Sequence, residues 1–366
     1  MILQTIGHAS ILLRNNQNEP VLLSDPWLIG SCYWRSWWLQ NYPTAEQFPE
    51  LQRAKYCYIT HEHPDHYHMP SIRKLGKTPT YISPKLPEEN IAKYLGSLDY
   101  KSAALTPLNW YKLDDGISVL SIPLYNDDSC LLIDTPKAFI VNLNDSKPTD
   151  AQLNRLRAYT DKVGDKKIIV LSSYSPASIV NSFRKDSQYV TIKDKTEYIV
   201  YINTLVDTLG ADYFIPFASQ VIFYRPDSSW ANQFKVTYDD MDKNWTASKT
   251  KLLHPYTTID LETFAHSFVS PADFNQNSEE IQEKVNTYME SVANVTLTEE
   301  DEKALEKKLR HHRYMLAPLF PKGIGFKVDK EDYYFSMWKG RLTKGNHENS
   351  FTIQFPAQAL KDAVTY

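Results

Sequence analysis

Short apolar runs of strand length dominate the first 145 residues. Ile2–Gly7, Ser10–Leu13 and Val21–Ser24 are such runs, with Asn15-Asn16-Gln17-Asn18 predicting the turn between the second and third. The pattern predicts a helix over Thr44–Ala54 that leads into a buried strand over Tyr56–Thr60. A further short helix is predicted over Pro87–Leu95, opened by a proline and closed by Gly96. Strands return at Ser118–Ile122, Ser129–Asp134 and Ala138–Leu143, the last running into Asn144-Asp145-Ser146.

Beyond this point helices alternate with strands. Asp150–Val163 reads as a helix begun at Thr149 or Asp150, followed by the strand Lys167–Ser172. Tyr198–Leu209 reads as a helix stopped by Gly210, before the strand Tyr213–Phe217. Hairpin-like strands followed by strand–helix alternation predict an α/β protein with sheets covered by helices. After about residue 270 the chain turns polar and rich in Glu and Lys. Helices are predicted over Ser278–Ala293 and Leu297–Leu309, the second starting at Thr298 with Asp301 three residues on. Strands at Tyr333–Trp338 and Phe351–Phe355 and a short helix from Ala357 follow. The expected organisation is a main domain over 1–270 with a C-terminal α+β extension, 271–366, packed on it.

Composition narrows the function classes. The 366 residues are 42% hydrophobic and 23% charged, ordinary values for a soluble globular chain. A formal net charge of -4 gives no electrostatic footprint for a nucleic-acid partner. The start, Met1-Ile2-Leu3-Gln4-Thr5-Ile6, lacks a basic n-region and a long apolar run, and no window is apolar enough to span a bilayer. Cys32, Cys57 and Cys130 are scattered and form no disulfide framework, so a cytoplasmic location is expected.

The chemistry concentrates in Thr60-His61-Glu62-His63-Pro64-Asp65-His66-Tyr67-His68, which holds four of the ten histidines. If the preceding strand runs through Thr60 and beyond, His61 and His63 point to one side, because strand side chains repeat every two residues. Two imidazoles on one face, with a carboxylate and a third imidazole one turn later, can converge on one or two metal ions. A polar histidine-rich loop without metal is the plainer alternative.

Gly7-His8-Ala9-Ser10, Ser24-Asp25-Pro26, His61-Glu62-His63-Pro64-Asp65-His66 and Asn144-Asp145-Ser146, in this order, resemble the metallo-β-lactamase superfamily. Asp25-Pro26-Trp27-Leu28-x-Gly and Ile215-Pro216-Phe217-Ala218 are similar to the branch that includes the metallo-β-lactamase-like module of CMP-N-acetylneuraminate hydroxylase. No Rieske cysteine–histidine pattern is present in this sequence. The resemblance covers roughly residues 1 to 265 and implies an αβ/βα four-layer sandwich with metals at one edge. It also implies that His61 and His63 bind one ion, that Asp65 and His66 bind a second, and that Asp145 bridges them. Asp65 would in addition orient a water and accept its proton. Asp25 would accept an N–H from a ligating histidine. His8 has two readings: a residue lining the site, with a catalytic role, or a buried histidine pinning two strands. The implied cofactors are two divalent ions, zinc or iron, with manganese a third candidate.

The chain departs from the pattern of the superfamily at two imidazoles. Pro123–Cys130 contains no histidine, and beyond Gln220 only His254 and His266 remain before the extension. Asp127 or Asp128 is the candidate oxygen ligand for the first gap and His254 the candidate for the second. Replacing imidazole by carboxylate hardens a site and moves its preference from zinc towards iron or manganese. A one-metal site is a further alternative.

Trp27, Trp34, Trp37 and Trp38, half of the eight tryptophans, fall within twelve residues directly after Asp25. This segment reads as a substrate wall, with Trp34 and Trp37 stacking on a ring and Arg35 pairing an anionic group. It reads equally as a surface patch for lipid, giving a peripheral membrane contact, or for a partner, and most plainly as tryptophans packed on the core. Arg225 is placed at the same cleft, with an ordinary surface loop as the alternative. The leading expectation is a metal-dependent hydrolase using a metal-bound hydroxide on a small-molecule ester, amide or phosphodiester. An iron-dependent oxygenase or hydroxylase on the same fold and a non-catalytic binding protein that kept the fold are the alternatives.

Overall fold

The computed structural model describes residues 1–86, 90–124, 128–175, 184–185, 188–189 and 194–365. The chain divides into two compact units, Met1–Ser278 and Glu279–Tyr366.

Among the described residues the first unit holds two large sheets. One has eight strands in the order His266–Phe268, Thr257–Asp260, Ile2–Ile6, Ser10–Arg14, Pro20–Ser24, Tyr56–Tyr58, Thr80–Pro84, Ser102–Leu105. The other has seven, in the order Lys251–Leu252, Tyr213–Phe217, Lys167–Ser173, Ala138–Asn142, Ser129–Asp134, Ile117–Pro123, Trp110–Asp114. Alternating positions from both, among them Leu3, Ile11, Leu13, Tyr58, Val119, Leu131, Ile140 and Leu171, form one buried core between the sheets.

The remaining strand positions face outward and are covered by helices. Leu23, Cys57 and Tyr81 pack with Leu51, Ile72, Ile91 and Leu95 from the helices Phe48–Leu51, Met69–Leu75 and Asn90–Ser97. Leu132, Val141 and Val170 pack with Leu156, Ile202, Val206 and Met241 from Asp150–Thr160, Lys195–Leu209 and Tyr238–Lys243. The first unit is therefore the αβ/βα four-layer sandwich expected.

Several elements differ from expectation in extent. The strand predicted over Tyr56–Thr60 ends at Tyr58. The helix expected over Thr44–Ala54 is confined to Phe48–Leu51. The helix expected over Pro87–Leu95 is described as Asn90–Ser97, and its first residues lie outside the described ones. The helix ending at Leu209 starts earlier, at Lys195, because Asp194 and Glu197 form a capping box there.

The second unit has a core of its own. Thr298 and Asp301 cap the helix Glu299–Leu316 reciprocally, as the sequence predicted, and the helix runs past Leu309. A four-stranded sheet, ordered Arg341–Lys344, Glu331–Ser336, Ile324–Val328, Phe351–Phe355, precedes the helix Ala357–Thr365. Leu305, Phe326, Val328, Tyr333, Phe335, Met337 and Leu360 fill the space between. Among the described residues no helix is long and apolar enough to cross a membrane.

Candidate metal centre

Parallel pairing of Pro20–Ser24 with Tyr56–Tyr58 brings the chain segments after both strands to one edge of the sheet. There the Asp25 N–H donates to the Tyr58 carbonyl (2.8 Å). The fully buried Asp25 carboxylate accepts from the Thr60 N–H (2.8 Å), from Thr60 Oγ1 (2.9 Å) and from His66 Nδ1 (3.0 Å). Donation from Nδ1 leaves His66 Nε2 with its lone pair and aims it away from Asp25. Because the strand ends at Tyr58, side-chain alternation does not bring His61 and His63 together. The chain instead turns: the His63 carbonyl accepts from the N–H groups of His66 (3.0 Å) and Tyr67 (2.7 Å). His61 Nε2 lies 2.8 Å from His63 Nδ1, and Asp65 and His66 project inward from the same turn.

Two other turns supply the remaining groups. Gly7 has φ +60°, and a Cβ there would meet the Trp27 carbonyl at 2.8 Å, so glycine is required just before His8. His8 is fully buried, with Nε2 3.1 Å from Asp65 Oδ2. Asn144, at φ 46°, accepts the N–H groups of Asp145 and Ser146 on Oδ1 and donates from Nδ2 to the Ser129 carbonyl (2.7 Å). This turn presents Asp145, whose Oδ1 lies 3.6 Å from His66 Nε2 and 3.9 Å from His61 Nε2.

Two groups of donor atoms result, His8–Asp65–His66 and His61–His66–Asp145, each with its atoms within 4.8 Å of one another. Among the described residues, His8 Nε2, His66 Nε2 and Asp145 Oδ1 are buried without a hydrogen-bond partner. Buried polar atoms are almost always satisfied, so unpartnered nitrogen and oxygen atoms in both groups fit residues that would hold a cation. Imidazole and carboxylate together form a donor set for zinc, iron or manganese. The carboxylates and the imidazoles are electrostatically coupled. Burial raises the cost of charge on Asp65, yet His66 and His8 hold its carboxyl well below the usual range. Burial likewise opposes charge on Asp145, and His66 and His61 hold it low. Burial pushes His8 down, towards the neutral imidazole a metal requires, whereas against burial the surrounding carboxylates push His66 well up and His61 up, so a cation there would take the place of their protons.

Other expected site residues fall into place or out of it. His63, expected to share an ion with His61, is exposed at the rim with its ring edge-on to His61 and joins neither donor group, because the turn at His63 carries it outward. Asp128 does not fill an imidazole gap: it lies 3.3 Å from Nδ1 of His61, on the ring edge opposite Nε2, where it orients that ring. Asp127 is outside the described residues. His254 does not join either group. It is stacked between Tyr238 (3.7 Å) and Phe268 (3.8 Å), an aromatic sandwich that the isolated Leu-Leu-His-Pro sequence did not disclose.

The aromatic segment is folded against the centre. Trp37–Leu39 pairs with Ser31–Cys32 and with Val221–Phe223 in a small sheet. The Trp37 ring meets Tyr33 (4.5 Å), Phe223 (5.4 Å) and, edge-on, His8 (6.3 Å). Trp34 is 53% exposed and Arg35 is exposed, its guanidinium 3.4 Å from Ser31 Oγ. Arg225 donates to the Trp34 carbonyl (3.2 Å) and pairs with Asp227, so it braces this segment. Sequence reasoning missed Tyr33, whose hydroxyl donates to Asp65 Oδ1 (2.7 Å). Only its place in the segment after Asp25 hinted at it.

No family model matches the chain. In sequence it is 24% identical over 261 residues to the cytidine monophosphate-N-acetylneuraminic acid hydroxylase of Xenopus laevis, a match covering 67% of this chain and 42% of the relative. It is 23% identical over 277 residues to the hydroxylase of Cricetulus griseus, covering 70% and 47% respectively. The chain thus spans about half the length of the curated relatives it matches. Among solved structures it is similar to the "possible metal-dependent hydrolase" of Veillonella parvula DSM 2008, with a TM-score of 0.50 at 13% identity, covering 71% of this chain and 98% of that one. The chain has the metallo-β-lactamase fold, and its sequence resembles the branch of the CMP-N-acetylneuraminate hydroxylases.

Proposed function

We propose that the chain is a metal-dependent hydrolase acting on an ester, amide or phosphodiester of a small molecule. The observation that carries this is that the unpartnered buried atoms His8 Nε2, His66 Nε2 and Asp145 Oδ1 belong to two donor groups sharing His66. His8, Asp65 and His66 would hold one divalent ion; the single free lone pair of His66 serves only one ion, so His61 and Asp145 would either join it there or hold a second ion without His66. A divalent ion bound there would lower the pKa of a water and polarise a substrate oxygen. Asp65 Oδ1 accepts from Tyr33 and Oδ2 stands beside His8 Nε2 and His66 Nε2, which suits a ligand better than the proton acceptor expected of it. Asp145 is more open to solvent, with a quarter of its side chain exposed, and its oxygen not bound to the ion would take a proton from an entering water. Trp34, Arg35 and Trp37 supply an aromatic wall and a cation for a ring-bearing, anionic substrate.

Zinc-, manganese- and iron-loaded protein should each be assayed with bis(p-nitrophenyl) phosphate and p-nitrophenyl acetate, beside His66→Ala. Turnover by at least one form, abolished in the variant, is expected. No turnover by any form, or equal turnover by His66→Ala, would overturn the proposal.

The sequence likeness to hydroxylases supports a second reading, an iron-dependent oxygenase. Oxygen uptake by the iron form on addition of CMP-N-acetylneuraminate, without ester or phosphodiester cleavage, would select it.

A further inference from the structure

Tyr33, Trp34 and Arg35 have φ of 50°, 52° and 64°, three consecutive left-handed residues of which none is glycine. A Cβ makes this conformation unfavourable, and such backbone persists only where its surroundings hold it. Here the surroundings do. Ser31–Cys32 pairs with Trp37–Leu39 across the turn. The Tyr33 carbonyl accepts from the Ser36 N–H (3.0 Å), the Arg35 carbonyl from Trp38 Nε1 (2.7 Å), and the Trp34 carbonyl from Arg225 (3.2 Å). The turn lays the Tyr33 ring on Trp37 and brings its hydroxyl to Asp65 Oδ1 at 2.7 Å.

A buried carboxylate can turn about its Cβ–Cγ bond and offer either oxygen, or both, to a cation. Tyr33 removes that freedom by donating to Oδ1 from one side. Oδ2 is left 3.1 Å from His8 Nε2 and 3.4 Å from His66 Nε2, beside two of the orphaned atoms. We infer that Tyr33 is a positioning residue of the metal centre, committing Asp65 to bind through Oδ2 alone. The inference rests on reading the cluster as a metal site. Removing the hydroxyl frees Oδ1, so Asp65 samples other orientations and the ion is held less well, with a changed coordination. Hydrogen-bonded partners of metal ligands typically contribute about 10–100-fold to affinity.

The test compares wild type, Tyr33→Phe and Asp65→Asn as metal-free full-length chains. Each is titrated with Zn²⁺ against a chromophoric chelator and with Co²⁺ by visible absorption, and its metal-free thermal midpoint is measured. Tyr33→Phe keeps the ring on Trp37, so its midpoint should match wild type. Its Zn²⁺ affinity should fall about tenfold, its Co²⁺ bands should shift, and its loss should not exceed that of Asp65→Asn. Wild-type Zn²⁺ affinity together with wild-type Co²⁺ bands in Tyr33→Phe would overturn the positioning role. So would a loss larger than that of Asp65→Asn, because Tyr33 would then act by another route. Absence of metal binding in wild type would instead overturn the metal-site reading itself.

Discussion

Asp25 sets the orientation of the candidate centre without facing it. Its carboxylate ties Thr60 and His66 Nδ1 together in a fully buried position, so the His66 ring can present only Nε2 to the cluster. Asp25→Asn keeps the shape but offers an N–H where an acceptor is needed. Its metal affinity should drop by about 10–100-fold, measured by Zn²⁺ titration of the metal-free chain; affinity equal to wild type would count against the tautomer argument. At this scale part of the cluster was legible through the resemblance: His61, Asp65, His66 and Asp145 fall in the two donor groups and Asp25 bonds His66, whereas His63 joins neither. His254 and Asp128 were misread because a side chain's surroundings depend on distant residues. Neither the Tyr238–Phe268 sandwich around His254 nor the Nδ1 side of His61 can be seen in local spacing.

Elements place these residues mainly through the turns that end them. Gly7 illustrates this: its left-handed backbone passes against the Trp27 carbonyl and then inserts His8. Gly7→Ala should destabilise the fold by about 1–3 kcal/mol in chemical denaturation and should weaken metal binding, while Gly164→Ala, also at positive φ but with open space around its Cβ position, should leave metal binding unchanged. Asp194 is a second case: it opens the helix Lys195–Leu209, and Asp194→Ala should cost about 1 kcal/mol of stability with no change in metal affinity. Long elements with caps or clear apolar runs were legible. The small sheet of Ser31–Cys32, Trp37–Leu39 and Val221–Phe223 was not, because strands of two or three residues carry no period.

The first unit joins its two large sheets through a polar seam as well as an apolar core. Tyr58 reaches across to Ser121 and Ser129 (both 2.8 Å), and Ser129 Oγ donates to the Thr60 carbonyl (3.0 Å) just behind His61. The α/β class was legible in the succession of strands and helices and the four layers through the resemblance, whereas the seam depends on pairing between segments far apart in sequence. Global stability also carries a buried lysine. Lys235 donates to the Val221 carbonyl, and burial pushes its ammonium down to about 7. The unfolded chain binds this proton up to about pH 10.5, so between these values it holds more protons than the folded chain and stability rises with pH. Below about pH 7 the cost is complete. Lys235→Met should therefore stabilise the protein by on the order of a few kcal/mol at pH 6 and by much less at pH 10. Urea denaturation at both values checks this, and a gain independent of pH would contradict it.

The most direct test of the metal centre is elemental analysis of the full chain purified without added metal, beside His66→Ala. Wild type should carry at least one zinc, iron or manganese ion per chain, and the variant far less, since His66 belongs to both donor groups. Wild-type protein without bound metal that also takes up none of the three ions, or His66→Ala with the wild-type content, would contradict it.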